Sequence, residues 1–231
     1  MSKTPKPLAP GKQVSKSVEQ KPERLYRGIG NAERIAERRQ RFVNAAIQRF
    51  GSDGFHATTL KSLCAEAGLT ERYFYESFAS FDELLCVSYQ HAADTIFSLT
   101  TVAVGVAEPS AGARMQVALD AYFKAIAADP ARARLVLLEM EGASPRADEV
   151  YRAQLRLSAD MIRYQVCAGL PDKPATGLSP ELLTTAIMGA TYQVAKIWVL
   201  SNFKQPRTHV VRNVLAVFRG TIAEWQKPVP V

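Results

Sequence analysis

Cysteine is scarce in this sequence. Cys64, Cys86 and Cys167 stand far apart, with no CxxC pair among them. That spacing argues against a disulfide framework and a thiolate zinc site, and it fits a reducing compartment. Long apolar runs are also missing. The most apolar stretch, Ala186 to Leu200, is broken by Gln193 and Lys196 and falls short of the roughly 20 residues a membrane-spanning helix needs. The basic, proline-rich N-terminus lacks the apolar segment of a secretory signal, so the expectation is a soluble cytoplasmic protein that does not engage a membrane. Histidine is rare as well: His56, His91 and His209 are isolated, and no HExxH, GxSxG, Walker or GxGxxG pattern occurs. No catalytic residues, no metal and no cofactor are therefore expected. Strict apolar–polar alternation is absent too, which argues against strands.

What is present is a hydrophobic fraction of 47% over 231 residues, enough for one large domain or two small ones. The net charge of +7 is unevenly spread. Residues 1–31 carry Lys3, Lys6, Lys12, Lys16, Lys21, Arg24 and Arg27 against Glu19 and Glu23, or +5, leaving +2 for the rest. A basic tail ahead of a nearly neutral body suits a polyanion partner, or simply solubilises the chain. With Pro5, Pro7, Pro10 and Pro22 and few large apolar residues, residues 1–31 read as a disordered arm.

Beyond the arm the pattern is helical. Asn31 is a candidate cap, and Ile35, Phe42, Ala46, Ile47 and Phe50 recur at helical spacing until Gly51 and Gly54 stop the helix. Later starts carry a capping residue followed by proline, at Asp129-Pro130, Ser144-Pro145 and Ser179-Pro180, with Gln205-Pro206 a weaker copy. The spacing predicts about nine helices, over 32–50, 59–67, 71–78, 81–104, 112–128, 130–141, 145–169, 180–202 and 206–225.

The most informative segment is 54–78. Thr58 or Thr59 caps a short helix whose apolar residues are Leu60, Leu63, Cys64 and Ala67, Gly68 supplies a tight turn, and Leu69 points inward. Thr70 caps a second helix that buries Phe74 and Phe78, and Ser80 with Glu83 forms a capping box for the next. Helix, glycine-containing turn and helix at this spacing make a helix-turn-helix, whose second helix lies in the DNA major groove. Its first residues are Glu71, Arg72 and Tyr73, with Tyr75 and Glu76 a turn later. Arg72 can take guanine O6 and N7 or a phosphate. Glu71 can accept from cytosine N4, or merely favour the helix dipole. Tyr73 and Tyr75 suit phosphate or sugar contact, or are ordinary half-buried tyrosines. Thr59 and Lys61 open the first helix, where backbone N–H groups and a cation suit a phosphate.

The run Ala57-Thr58-Thr59, then Ala65-Glu66-Ala67-Gly68-Leu69-Thr70, Phe74-Tyr75-Glu76-Ser77-Phe78 and Leu84-Leu85 resembles the DNA-binding signature of the TetR family across roughly residues 33–85. The resemblance implies phosphate contacts by Thr59 and Tyr75, and Arg72 and Tyr73 facing the groove. One departure is Phe81, where the family commonly has a lysine after the serine; the basic arm, through Arg24 and Arg27, is a candidate substitute for that phosphate contact.

Three parts are expected: the arm 1–31, a DNA-binding domain 32–80, and a helical effector-binding and dimerisation domain 81–231. The fold class is all-α, a three-helix helix-turn-helix followed by a larger helical domain. The resemblance implies a transcriptional regulator, most simply a repressor released from a palindromic operator by a small hydrophobic effector, working as a homodimer on the nucleoid. A DNA-binding protein with no small-molecule ligand and a transcriptional activator are the alternatives. The resemblance also implies an apolar pocket, for which Met115, Tyr122, Phe123, Met140, Tyr151, Met161, Tyr164, Tyr192 and Trp198 are candidates, although such residues also build plain cores. Candidate dimer stripes are Ala186, Gly189, Ala190, Gln193 and Ile197 on one helix and Val211, Leu215, Phe218 and Ile222 on the next, with an internal core stripe the alternative.

Overall fold

The computed structural model describes residues 23–227 apart from 173, 175 and 176, and side chains from residue 30 onward. All regular structure among them is helical. The chain divides after Ala36 into two compact units. In the first, the described residues are the opening of α1 (Glu23–Asp53). That helix starts at Glu23, so residues 23–31 are helical and Asn31 lies inside the helix instead of capping it. Pro22 is the last proline of the tail, and the good helix formers after it outweigh Gly28 and Gly30, each worth about 1 kcal/mol against a helix. The remainder of the expected arm, residues 1–22, lies outside the described residues.

The second unit contains the rest of α1 and all later elements. α2 (Leu60–Ala67), α3 (Glu71–Ser77) and the start of α4 (Phe81–Gly105) complete the helix-turn-helix. α4 continues into a larger helical body of α5 (Ala111–Ala128), α6 (Pro130–Leu138), α7 (Pro145–Met161), α8 (Pro180–Leu200) and α9 (Arg207–Trp225). Proline at the first helical position with a capping Asp129, Ser144 or Ser179 starts α6, α7 and α8, each side chain accepting a backbone N–H. No described helix is long and apolar enough to cross a membrane.

Two expected boundaries are corrected. Gly51 does not stop α1, which runs on to Asp53. Its role is close packing: a Cβ there would sit 2.0 Å from the Ala131 carbonyl oxygen of α6. Gly54, at φ +90°, takes the left-handed conformation that ends the helix. The helix expected over 145–169 gives way after Met161 to a π-helical turn, Ile162–Val166, closed by Cys167 N–H on the Ile162 carbonyl at 2.9 Å. π-turns insert one residue of slack and recur beside functional sites.

Candidate nucleic-acid interface and internal cavity

The helix-turn-helix is built on edge-to-face aromatic packing. Phe42 of α1 meets Phe74 at 5.7 Å and Phe78 at 6.3 Å between ring centroids, nearly perpendicular in both cases. All three rings are fully buried. Phe81 joins them, 6.0 Å from Phe74 and 5.5 Å from Phe50. This explains the departure at that position: the side chain is a packing element of the head.

Backbone caps then fix the two short helices. The Thr59 hydroxyl accepts from Ser62 N–H and the Ser62 hydroxyl accepts from Thr59 N–H, both at 3.1 Å. Gly68, at φ +61°, forms the left-handed turn after α2, and Arg41 of α1 donates to the carbonyls of Ala67 at 2.7 Å and Gly68 at 3.1 Å. Arg39 donates to the Ser77 carbonyl at the end of α3. These arginines were not singled out from the sequence, where they look like a solvated face; only the ends of α2 and α3 reveal their task. Thr70 occupies the N-cap position of α3, but its side chain makes no cap bond, a correction to the expected role. Ser80 accepts from Glu83 N–H at 3.0 Å, while Glu83 accepts from Ala79 N–H at 2.8 Å. That hydrogen bond, reinforced by Arg39, holds the Glu83 carboxyl below the ordinary glutamate range.

α3 is short and buries only Phe74. Glu71, Arg72, Tyr75 and Glu76 are exposed, Tyr75 to 66%. The Arg72 side chain is 85% exposed and pairs with Glu76 at 3.0 Å. Such an exposed i,i+4 pair is weak, so the guanidinium is free to exchange partners. Tyr73 behaves differently: it is half-buried against the core and lies under the Arg38 guanidinium, 4.3 Å from the ring centroid. Thr59 and Lys61 are exposed at the start of α2.

The body contains a largely apolar cavity, about 610 Å³ of empty space when the open solvent at its mouth is included. Of the nine residues nominated for it, Met115, Tyr122, Met161 and Tyr192 form its wall. The other five do not. Phe123 and Trp198 pack on each other at 5.6 Å, and Trp198 Nε1 donates to the Gln205 carbonyl at 2.8 Å, so both belong to the core beside α9. Met140 is buried in the turn after α6. Tyr151 stands edge-on to Tyr89 at 6.4 Å, behind the wall. Tyr164 is 69% exposed, in an outer groove with Arg156 and Arg163. Sequence reasoning missed Thr100, Val136, Gln154, Ser158, Met188 and Thr191, which also line the cavity; a glutamine in a charged, amphipathic helix such as α7 reads as a surface residue.

The wall carries no charged side chain. The Tyr122 hydroxyl is buried without a hydrogen-bond partner, and burial first, then the neighbouring Tyr192 and Tyr151, push its ionisation well above the ordinary tyrosine value. Tyr89 and Tyr192 are shifted upward too, chiefly by burial. The three cysteines are buried free thiols, and burial pushes Cys167 up to about 11. Among the described residues no cluster of three or more His, Cys, Asp or Glu could hold a metal.

α6 connects the cavity to the head. Val136 is part of the cavity wall, while Arg134 Nε of the same helix donates to the Gly51 carbonyl at 2.9 Å and Ala131 abuts Gly51. Just beyond, the Glu139 carboxylate accepts from Phe55 N–H at 2.8 Å, and the Ser144 hydroxyl donates to Asp82.

The two candidate dimer stripes separate cleanly. On α8, Ala186, Gly189, Gln193 and Ile197 are exposed and Ala190 is half-buried. On α9, Val211, Leu215 and Phe218 are buried within the chain's own core and Ile222 packs against it. The α9 stripe is thus an internal one: its apolar period faces α5 and α8, and the outer face of α9 carries Arg212, Ala216, Val217 and Gly220 instead.

Residues 42–85 match the family described as bacterial regulatory proteins, tetR family. Compared with curated protein sequences, the chain finds no match. Among solved structures, the fatty acid degradation regulator FadR from Bacillus halodurans is similar with a TM-score of 0.69 at 19% identity, over 79% of this chain and 95% of that one. The transcriptional regulator FadR from Bacillus subtilis, solved in complex with stearoyl-CoA, is similar with a TM-score of 0.67 at 15% identity, over 80% and 98%. A TetR-like transcriptional regulator from Rhodococcus sp. RHA1 gives 0.61 at 18%, over 80% and 96%. At these identities the structures establish a shared fold. Residues 42–85 match the tetR family of bacterial regulatory proteins, and the chain as a whole shares the fold of these structures.

Proposed function

We propose that the protein is a sequence-specific transcriptional repressor that binds a palindromic operator as a homodimer and is released by a small apolar effector. The observation that carries this reading is the pairing of an outward-facing α3 with an uncharged cavity whose wall helix, α6, also grips the end of α1. Arg72 is the base-reading residue, with Glu71 and Tyr73 flanking it; Tyr75, Thr59, Lys61 and the free Thr70 hydroxyl hold phosphates or sugars. An effector that fits one arrangement of α6 better than another shifts the population of head orientations, and only one of these matches both half-sites. An apolar ligand suits the wall, and the Bacillus subtilis FadR neighbour is solved with stearoyl-CoA. The exposed α8 stripe, with the outer face of α9, is the dimer surface, and a two-fold pair of heads fits half-sites roughly 10 bp apart. Such a repressor works in the cytoplasm, on the nucleoid.

The test is a salt titration of binding to duplex DNA from the protein's own upstream region. Specific binding by wild type, with Arg72→Ala costing about 1–3 kcal/mol and relaxing base preference, is expected. Weak, sequence-blind binding that the variant leaves unchanged would falsify the assignment of α3. Removing residues 1–30, and with them Arg24 and Arg27, is expected to lower affinity and flatten the salt dependence through lost phosphate contacts.

A further inference from the structure

The cavity wall is more selective than its apolar character suggests. Gln154 of α7 is 8% exposed, lines the cavity, and makes no hydrogen bond to any described residue. A polar group on an apolar wall is normally paired, so an amide without a protein partner is open to water or a ligand in the cavity. Ser158, one turn further along α7, lines the same wall, and its hydroxyl also has no protein partner. Across the cavity the Tyr122 hydroxyl is buried and unpartnered. The two wall threonines differ: Thr100 and Thr191 donate back to the carbonyls of Ile96 and Ile187, at 2.9 and 2.8 Å. Three polar groups on two facing helices are thus left open in an otherwise apolar space.

No wall residue carries a charge, and the upward shift of Tyr122 reflects surroundings that disfavour an anion. A carboxylate or ammonium placed here would lose its hydration without gaining a counter-ion. An amide and a phenol can instead satisfy a neutral oxygen, Tyr122 and Gln154 both donating to it. The π-turn at Ile162 widens α7 directly beside this wall.

From this we infer that the part of the effector inside the cavity is neutral, with an apolar body and one carbonyl-type oxygen held by Gln154 and Tyr122. Ser158 is the adjacent hydroxyl to that oxygen. This deepens the effector reading above and rests on it for its regulatory meaning, but the binding itself is tested without DNA.

The experiment measures binding of four probes of matched length to the full chain by calorimetry: 2-nonanone, nonanoate, nonylammonium and nonane. The ketone is expected to bind at least about tenfold more tightly than either ion. Gln154→Leu and Tyr122→Phe are each expected to weaken the ketone at least about fivefold while leaving nonane unchanged. Both substitutions conserve volume, and their melting transitions show whether the fold is intact; Gln154→Glu, which keeps the shape and adds a charge, is expected to lose the ketone as well. Tighter binding of either ion, a ketone affinity that none of the variants moves, or no binding of any probe overturns the inference. If the ketone binds as expected but leaves DNA affinity unchanged, the release reading fails and the site stands. If nonanoate both binds better and releases DNA, the release reading stands and the neutral site fails.

Discussion

The head and the body of this chain solve their burial problem in opposite ways. In the head, three fully buried phenylalanines interlock edge to face, and polar groups at the helix ends are closed by named partners: Arg41 on Ala67 and Gly68, Thr58 on the Gly54 carbonyl at 2.8 Å, Glu83 on Ala79. In the body, the hydroxyls of Ser88 and Tyr122 are buried without partners around and behind a space that protein does not fill. A region that presents α3 in one geometry is closed mostly from within, although Arg49 Nε has only the Glu66 carboxylate nearby, at 3.2 Å, and no hydrogen bond. On the proposed function the body responds to an effector, and its unpaired groups describe what would complete it.

The comparison is broken most severely from the head side. Phe74→Ala removes a ring shared by four aromatic neighbours and is expected to cost about 3–5 kcal/mol in denaturant unfolding, because close-packed cores collapse only partly around a lost ring. A cost under about 1 kcal/mol would mean the head is loosely packed after all. Next comes the junction. Gly51→Ala drives a methyl into the Ala131 carbonyl and is expected to cost about 1–3 kcal/mol by displacing α6 from α1, the overpacking penalty outweighing the usual gain of alanine in a helix. A melting temperature equal to or above wild type would show that α6 is not held there.

Glu83→Gln tests the satisfied cap with a pH dependence. The folded state holds this carboxyl below its ordinary value of 4.5, so the ionised form stabilises the fold at pH values above that. The stabilisation of about 1 kcal/mol is expected to be constant near neutrality and to vanish as the pH falls below that ordinary value and through the lower folded one. A difference between wild type and variant that persists unchanged in acid would place its origin elsewhere. The smallest effect is expected in the body: Tyr122→Phe deletes a hydroxyl that has no partner and is expected to leave the ligand-free protein unchanged or more stable by up to about 1 kcal/mol. Destabilisation beyond that would show that the hydroxyl is already satisfied, and the contrast between the two regions would fall.

The helices were legible from the sequence because their starts use local chemistry. Asp129, Ser144 and Ser179 before proline cap as residue types alone predict, and the Gly68 turn follows from the need for a left-handed residue. The start of α1 was missed because a basic, proline-rich tail and a helix beginning with charged residues share one composition. Gly51 was misjudged because a glycine that stops a helix and one that admits a neighbouring carbonyl read alike until Ala131 is in place. The site was half legible for the same reason. The exposure of Arg72 and Tyr75 on α3 follows from helix position. Phe123 and Trp198 differ from Met115 and Tyr122 only in which neighbour they meet. Period alone also cannot tell an α9 stripe that fills its own core from one that fills a partner's.

The central claim is that α3 reads DNA bases through Arg72, and a double-mutant cycle tests it most directly. Operator affinity is measured for wild type and Arg72→Ala, each on the native half-site and on one with its contacted guanine replaced. The account predicts a coupling of about 1–3 kcal/mol, the guanine mattering to wild type and not to the variant. Strictly additive losses, with the variant as selective as wild type, would contradict it.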